Sequence, residues 1–180
     1  MPAELSRIVV VGTSCAGKST LAQQLAERLA SPHIELDALY WLADWQPRDR
    51  SDFRARVSAV LAQDCWVIDG NYGSVRELVW PRATAVLWLN YGFGGIFWRA
   101  LRRTTRRVLF REQLYSGNRE TARKAFFSRD SIIWWVATSY HQRRKEYRRL
   151  FDGEDYSHLA KIEFRHPSET LRFLEQIERP

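Results

Sequence analysis

The sequence predicts an α/β fold, a parallel sheet covered by helices on both faces, and three observations carry that expectation. Short apolar, β-branched runs alternate with amphipathic helical runs along the chain. Gly12 to Ser19 read G-T-S-C-A-G-K-S, a turn that fits G-x-x-x-x-G-K-[ST] and lies between a strand run and a helix run. Asp37, Asp69 and Asn90 each close an apolar run. In an open parallel sheet, ligands sit beyond such strand ends.

Arg7 to Val11 is the first strand, apolar enough for burial on both faces. Thr20 to Ala30 follows as a helix, with Leu21, Leu25 and Leu29 on one face. His33 to Leu36 is a second short strand, ending at Asp37. The stretch 37–50 is an aromatic loop or broken helix containing Tyr40, Trp41, Trp45 and Pro47. Ser51 caps a helix running to about Ala62, with Phe53, Val57, Val60 and Leu61 inward. Trp66 to Ile68 is the third strand, ending at Asp69-Gly70-Asn71-Tyr72, and Ala85 to Leu89 is the fourth, ending at Asn90. A helix spans about Gly95 to Val108, a polar loop follows over 111–118, and a long or broken helix covers 119–151. There Trp134 and Trp135, with Ile132, Ile133, Val136 and Tyr140, read as core. Lys161 to Phe164 is the fifth strand, and Ser168 caps a last helix.

A chain of 180 residues with 45% hydrophobic content suits one domain over 1–180, which buries about 70% of its extended surface. The first strand begins at Arg7, leaving no room for a signal peptide, and no apolar run approaches the ~20 residues that span a bilayer. Cys15 and Cys65 make no disulfide framework. A cytoplasmic protein without a membrane partner is expected. The charge is uneven: residues 99–149 carry 15 Lys/Arg against Glu112, Glu120, Asp130 and Glu146, a net of +11, which leaves −4 for the rest of the +7 chain. Such a band implies a polyanionic partner, either nucleotide phosphates or nucleic acid. Oligomeric state has no signal in the sequence.

The glycine-rich turn carries the most specific chemistry. Backbone N–H groups over Gly12, Thr13, Ser14, Cys15, Ala16, Gly17 and Lys18 form a nest for a β-phosphate, and Thr20 opens the helix whose N-terminus faces the same anion. Lys18 supplies a point charge for β/γ oxygens, and Ser19 is a ligand for Mg²⁺. A nucleoside triphosphate, ATP, with Mg²⁺ is therefore the expected cofactor pair. Asp37 and Asp69 are placed to hold an acceptor hydroxyl, take its proton, or, for Asp69, bind Mg²⁺. On the helix after strand four, Arg99, Arg102, Arg103, Arg106 and Arg107 share an arc of roughly 140°, with Phe97, Trp98, Leu101 and Val108 opposite. Arg99 and Arg103, nearest the strand end, are the expected functional pair. Gly117-Asn118-Arg119-Glu120 and Arg123 read as a hinge entering a lid, approximately 109–125, whose arginines close over the phosphates. The four histidines show no metal-ligand spacing.

These motifs resemble adenylate-kinase-related P-loop kinases and, more closely, the family of DNA topology modulation proteins (FlaR-related). The residues that match are the phosphate loop, Glu35 to Trp41, Trp45-Gln46-Pro47, Trp66 to Tyr72 and Gly117 to Glu120. The resemblance implies a three-layer α/β/α P-loop domain with strand order 2-3-1-4-5 and an Arg-bearing lid. It implies an ATP/Mg²⁺-dependent phosphotransferase acting on a small hydroxyl- or phosphate-bearing acceptor. The arginines with which adenylate kinases hold AMP have no counterpart in Leu36 to Tyr40 or Asn71 to Gly73, which argues against AMP. An acid after strand two instead resembles kinases of the shikimate and gluconate type. An ATP-binding regulator contacting nucleic acid through residues 99–149 is the alternative.

Overall fold

Alternate residues of the first strand leave the sheet on opposite faces, and both sets are apolar. In the computed structural model, which describes residues 5–110, 115–118 and 131–177, Ile8 and Val10 of β1 (Arg7–Gly12) join one core cluster, while Val9 and Val11 join another. A strand buried on both faces requires parallel neighbours and helical crossovers. β3 (Trp66–Asp69) and β4 (Ala85–Leu89) flank β1, β2 (His33–Glu35) pairs with β3, and β5 (Ala160–Phe164) pairs with β4. All these pairings are parallel, giving the order β2-β3-β1-β4-β5. The registers Val10↔Asp69 and Gly12↔Leu89 bring the ends of β3 and β4 level with the glycine-rich turn.

α1 (Lys18–Arg28), α5 (Phe93–Phe110) and α7 (Pro167–Gln176) cover the Ile8/Val10 face through Leu21, Leu25, Ile96, Ala100 and Leu174. α3 (Arg50–Val60) and α4 (Gly73–Val79) cover the other through Phe53, Val57, Val75 and Val79. α6 (Ile132–Asp152) serves both, with Val136 and Tyr140 in the first cluster and Tyr147 in the second.

Several local expectations are corrected. Strand β2 stops at Glu35, and Leu36–Tyr40 is a single helical turn, α2, so Asp37 stands on a helix rather than at a strand end. α3 is capped by Asp49, whose carboxylate accepts from the Ser51 and Asp52 amides, not by Ser51. α7 is capped by His166 in a reciprocal box with Glu169, not by Ser168. α4 was not foreseen. Trp134 and Trp135 are 52% and 47% exposed, because α6 buries the stripe Val136, Tyr140 and Tyr147 and these two rings lie off it. On α5 the buried stripe is Ile96, Ala100 and Thr104, and Trp98 is 64% exposed.

Gly70 fixes the turn after β3. Its φ is +143°, and a Cβ there would sit 2.8 Å from the Leu36 Cβ. Gly70→Ala is expected to cost about 2 kcal/mol or more, from the left-handed backbone and the overpacking. Thermal denaturation should show Tm falling by about 5–10 °C; an unchanged Tm would contradict the packing described.

Candidate active site

The turn between β1 and α1 depends on glycine at both ends. Gly12 has φ +145°, and a Cβ would lie 2.7 Å from the Leu89 carbonyl oxygen, a backbone atom with no room to retreat. Gly17, at φ +101°, caps α1 without any side-chain cap, which leaves the first-turn amides to an anion. Between them, Ala16 is buried in the core and its N–H donates to the Thr13 carbonyl at 3.1 Å, closing the turn. Cys15 holds φ +66° despite its Cβ, and neither cysteine is in a disulfide. Thr13 is buried, Ser14 half-buried, and Thr20 exposed on the first turn of α1. Lys18 Nζ donates to the Thr13 carbonyl at 3.3 Å.

Two carboxylates stand beside that lysine. Asp69, 4% exposed, accepts from Ser19 Oγ through Oδ2 at 2.7 Å, and its Oδ1 lies 2.9 Å from His33 Nε2. The hydrogen bond to Asp69 raises the His33 pKa above its ordinary value. Asp37 accepts from Tyr72 Oη at 2.5 Å. Burial pushes the Lys18 pKa below the usual lysine range; Asp69 and Asp37 oppose that shift and Arg103 adds to it. Asp37, Asp69 and Arg103 are therefore each within electrostatic reach of Lys18.

Asn71 ties the loop to its surroundings. Its Nδ2 donates to the Gly12 carbonyl at 2.6 Å, and its Oδ1 accepts from Gly12 N–H at 3.3 Å and from Tyr147 Oη at 2.8 Å. Burial pushes the Tyr147 hydroxyl up to about 12, so it remains a donor at neutral pH. The end of β3, the start of the loop and α6 are thus joined through one amide.

The predicted arginine pair is brought to the loop. Arg99 Nη1 donates to the Ala16 carbonyl at 3.1 Å, with the guanidinium 5.3 Å from the centre of the Tyr91 ring. One turn on, Arg103 Nε is buried with no hydrogen-bond partner among the described residues. A buried donor without a protein partner near the phosphate loop fits an anionic ligand. Ser19 and Asp69 offer the hard oxygen donors that suit Mg²⁺. Arg119 and Arg123, with most of the expected lid, lie outside the described residues. Elsewhere in the basic band Arg102 and Arg106 are exposed on α5, while Arg148 pairs with Glu163 at 2.7 Å and lies over the Trp88 ring.

Asn90 serves structure. Its Nδ2 donates to Glu163 Oε1 at 2.6 Å, and Arg148 and Arg165 converge on the same carboxylate. Burial alone would raise the Glu163 pKa, but hydrogen bonds from Arg165, Asn90 and Arg148 hold it down to about 2, against 4.5 ordinarily. A depressed folded-state value stabilises the fold above the unfolded-state value and loses that stabilisation as pH falls through the folded one. Native protein should therefore exceed Glu163→Gln in Tm near neutral pH, with the gap closing between about pH 4.5 and 2. A gap independent of pH would contradict the assignment.

His33 and Tyr147 escaped sequence reasoning as members of this constellation, because each acts across elements. Asn71 and Tyr72 carried a signal only as the residues that follow Asp-Gly.

A glycine-rich loop leaving the central strand of a 2-3-1-4-5 parallel sheet, with Asp37, Asp69 and Arg103 in electrostatic reach of its lysine and Arg99 bonded to its Ala16 carbonyl, defines a P-loop protein with the fold of small-molecule kinases. The chain belongs to the AAA domain family, whose profile matches residues 8–173. Among solved structures, the shikimate kinase of Bacteroides thetaiotaomicron is similar at TM-score 0.54 and 15% identity, covering 95% of each chain. The gluconokinase of Sinorhizobium meliloti 1021 gives 0.51 and 18%, covering 97% of this chain and 94% of its own. The shikimate kinase of Acinetobacter baumannii, solved in complex with shikimate, gives 0.56 and 16%, with 97% and 92% covered. At these identities the likeness is one of fold. No curated protein matches the sequence. Among the described residues no helix is long and apolar enough to cross a membrane.

Proposed function

We propose that the protein is an ATP- and Mg²⁺-dependent kinase that phosphorylates a hydroxyl group of a small acceptor. The observation that carries this reading is the placement of Asp37, held by Tyr72, within reach of the phosphate-loop lysine. A second, oriented carboxylate beside the phosphate loop can hold an acceptor hydroxyl and take its proton.

The loop amides and Lys18 hold the β- and γ-phosphates, and Arg99 and Arg103 face the charge that develops on the equatorial oxygens. Ser19 and Asp69 would hold Mg²⁺, which would supply neutralisation of the phosphate charge. Asp37 orients the acceptor hydroxyl. The hydroxyl oxygen forms a bond to the γ-phosphorus, the bond to the β–γ bridging oxygen breaks, ADP leaves, and the hydroxyl proton passes to Asp37. Arg119 and Arg123 keep the phosphate-covering role that their place in the sequence gives them. The same motifs support kinship with the topology modulation proteins.

The test is a screen of MgATP against nucleosides, sugars and hydroxy acids, reading ADP by chromatography. At least one acceptor should raise ADP formation tenfold or more over the acceptor-free rate. Turnover indifferent to every acceptor would contradict the proposal.

A further inference from the structure

We infer that His33 is a positioning residue for the Mg²⁺ end of the nucleotide site: its ring donates to one oxygen of Asp69 and so turns the other toward Ser19. This rests on the reading above, which gives Ser19 and Asp69 to Mg²⁺.

Three separate elements bring the groups together. β2 pairs with β3 in the register His33↔Val67 and Glu35↔Asp69, so His33 and Asp69 leave the sheet on the same face. Val67 belongs to the core cluster of Ile8, Val10, Leu21 and Leu25, which identifies that face as the one α1 covers. Ser19 lies on the first turn of α1. Asp69 therefore meets α1 on one side and the edge strand β2 on the other.

Its two oxygens are divided between them. Oδ2 accepts from Ser19 Oγ at 2.7 Å, and Oδ1 lies 2.9 Å from His33 Nε2. A carboxylate offers only lone pairs, so the proton of the second contact belongs to the ring. Nε2 carries it in the imidazolium and in the neutral tautomer that this partner selects, so the hold on Asp69 does not wait on a titration. Asp69 is buried, and among the described residues His33 is the hydrogen-bond donor to Oδ1. Without that donor a buried oxygen is left unsatisfied, and the carboxylate gains by turning to find another partner.

Turning matters for Mg²⁺ more than for the phosphates. Mg²⁺ accepts little departure from octahedral geometry, and residues that orient its ligands govern affinity without touching the ion. The backbone nest and Lys18 hold phosphate through groups that His33 does not contact.

The test is calorimetric binding of an ATP analogue, with a methylene bridge between the β- and γ-phosphorus, to the full chain with Mg²⁺ and again with chelator. Native protein should bind more tightly with Mg²⁺. His33→Phe, with His33→Ala as the second variant, should weaken the Mg²⁺-dependent binding by about tenfold, the lower end of what such partners contribute. Chelator-treated affinity should stay within twofold of native. His33→Gln, which returns an N–H donor at similar reach, should restore most of the loss. A Mg²⁺ gain equal in every protein, or one lost in His33→Gln as fully as in His33→Phe, would overturn the inference. So would an equal fall with and without Mg²⁺, the mark of a residue that serves only the sheet edge. These results leave the kinase reading to the acceptor screen. Native binding indifferent to Mg²⁺ would remove the metal role of Ser19 and Asp69, and the inference with it. The expected pattern in a protein that phosphorylates no acceptor supports His33 and sinks the kinase reading.

Discussion

Lys18→Ala should abolish phosphoryl transfer while leaving the fold as stable as before, or more so. The transferring phosphoryl group carries charge that only fixed donors and cations relieve, and loss of one such group typically lowers kcat by about 10²–10³. Lys18 is the cation that the loop delivers to it. Burial depresses the pKa of that ammonium, which donates to the Thr13 carbonyl at 3.3 Å. Removing it eliminates a desolvated charge, so Tm should hold or rise by a few degrees. Native protein should gain Tm on adding MgADP, by mass action on the folded state, and Lys18→Ala should gain little. The effects should therefore separate: catalysis and ligand-induced stabilisation lost, intrinsic stability kept. A variant that unfolds, or one that transfers phosphate at the native rate, contradicts the role assigned to Lys18.

Asp37→Asn is the second large effect. The change keeps shape and keeps an oxygen to accept from Tyr72 Oη, but removes the site for the acceptor proton. General-base groups contribute about 10²–10⁴ in rate, so kcat should fall by that order with KM for ATP nearly unchanged. Tyr72→Phe leaves the carboxylate in place but unheld, and should lose about tenfold, within the range that misplacement of a catalytic group costs. Steady-state kinetics with the acceptor found in the screen would decide it. Equal kcat in native protein and Asp37→Asn would remove Asp37 from the reaction.

The sequence made the sheet legible because parallel strands buried on both faces read as continuous apolar runs, as in Ile8 to Val11, Trp66 to Ile68 and Ala85 to Leu89. The phosphate loop was legible because its glycines answer local backbone demands, visible at Gly12 and Gly17. What escaped depends on contacts between distant residues. The single turn α2 spans five residues, too few for a 3.6-residue period to show, so Asp37 was assigned to a strand end. Trp134 and Trp135 belong to an unbroken apolar run, and such a run on a helix does not reveal which third of it turns inward; tertiary packing chose Val136 and Tyr140. His33 reaches Asp69 because β2 and β3 pair in the register Glu35↔Asp69, and nothing around His33 in the chain announces that partner. Asn118 belongs to a motif that read as a hinge, yet its buried amide fastens residues 115–118 to the turn carrying Trp41 and Trp45. The phosphate loop is therefore local and readable, whereas the surroundings of Asp37 are assembled from separate elements.

The γ-phosphoryl group is expected to pass intact from ATP to an acceptor hydroxyl. Phosphorus NMR of MgATP, the acceptor from the screen and native protein tests it directly, with Lys18→Ala as control. A phosphomonoester resonance should grow in step with ADP in the native sample and be absent from the control. Inorganic phosphate appearing in place of the ester, or the same ester forming in both samples, would contradict it.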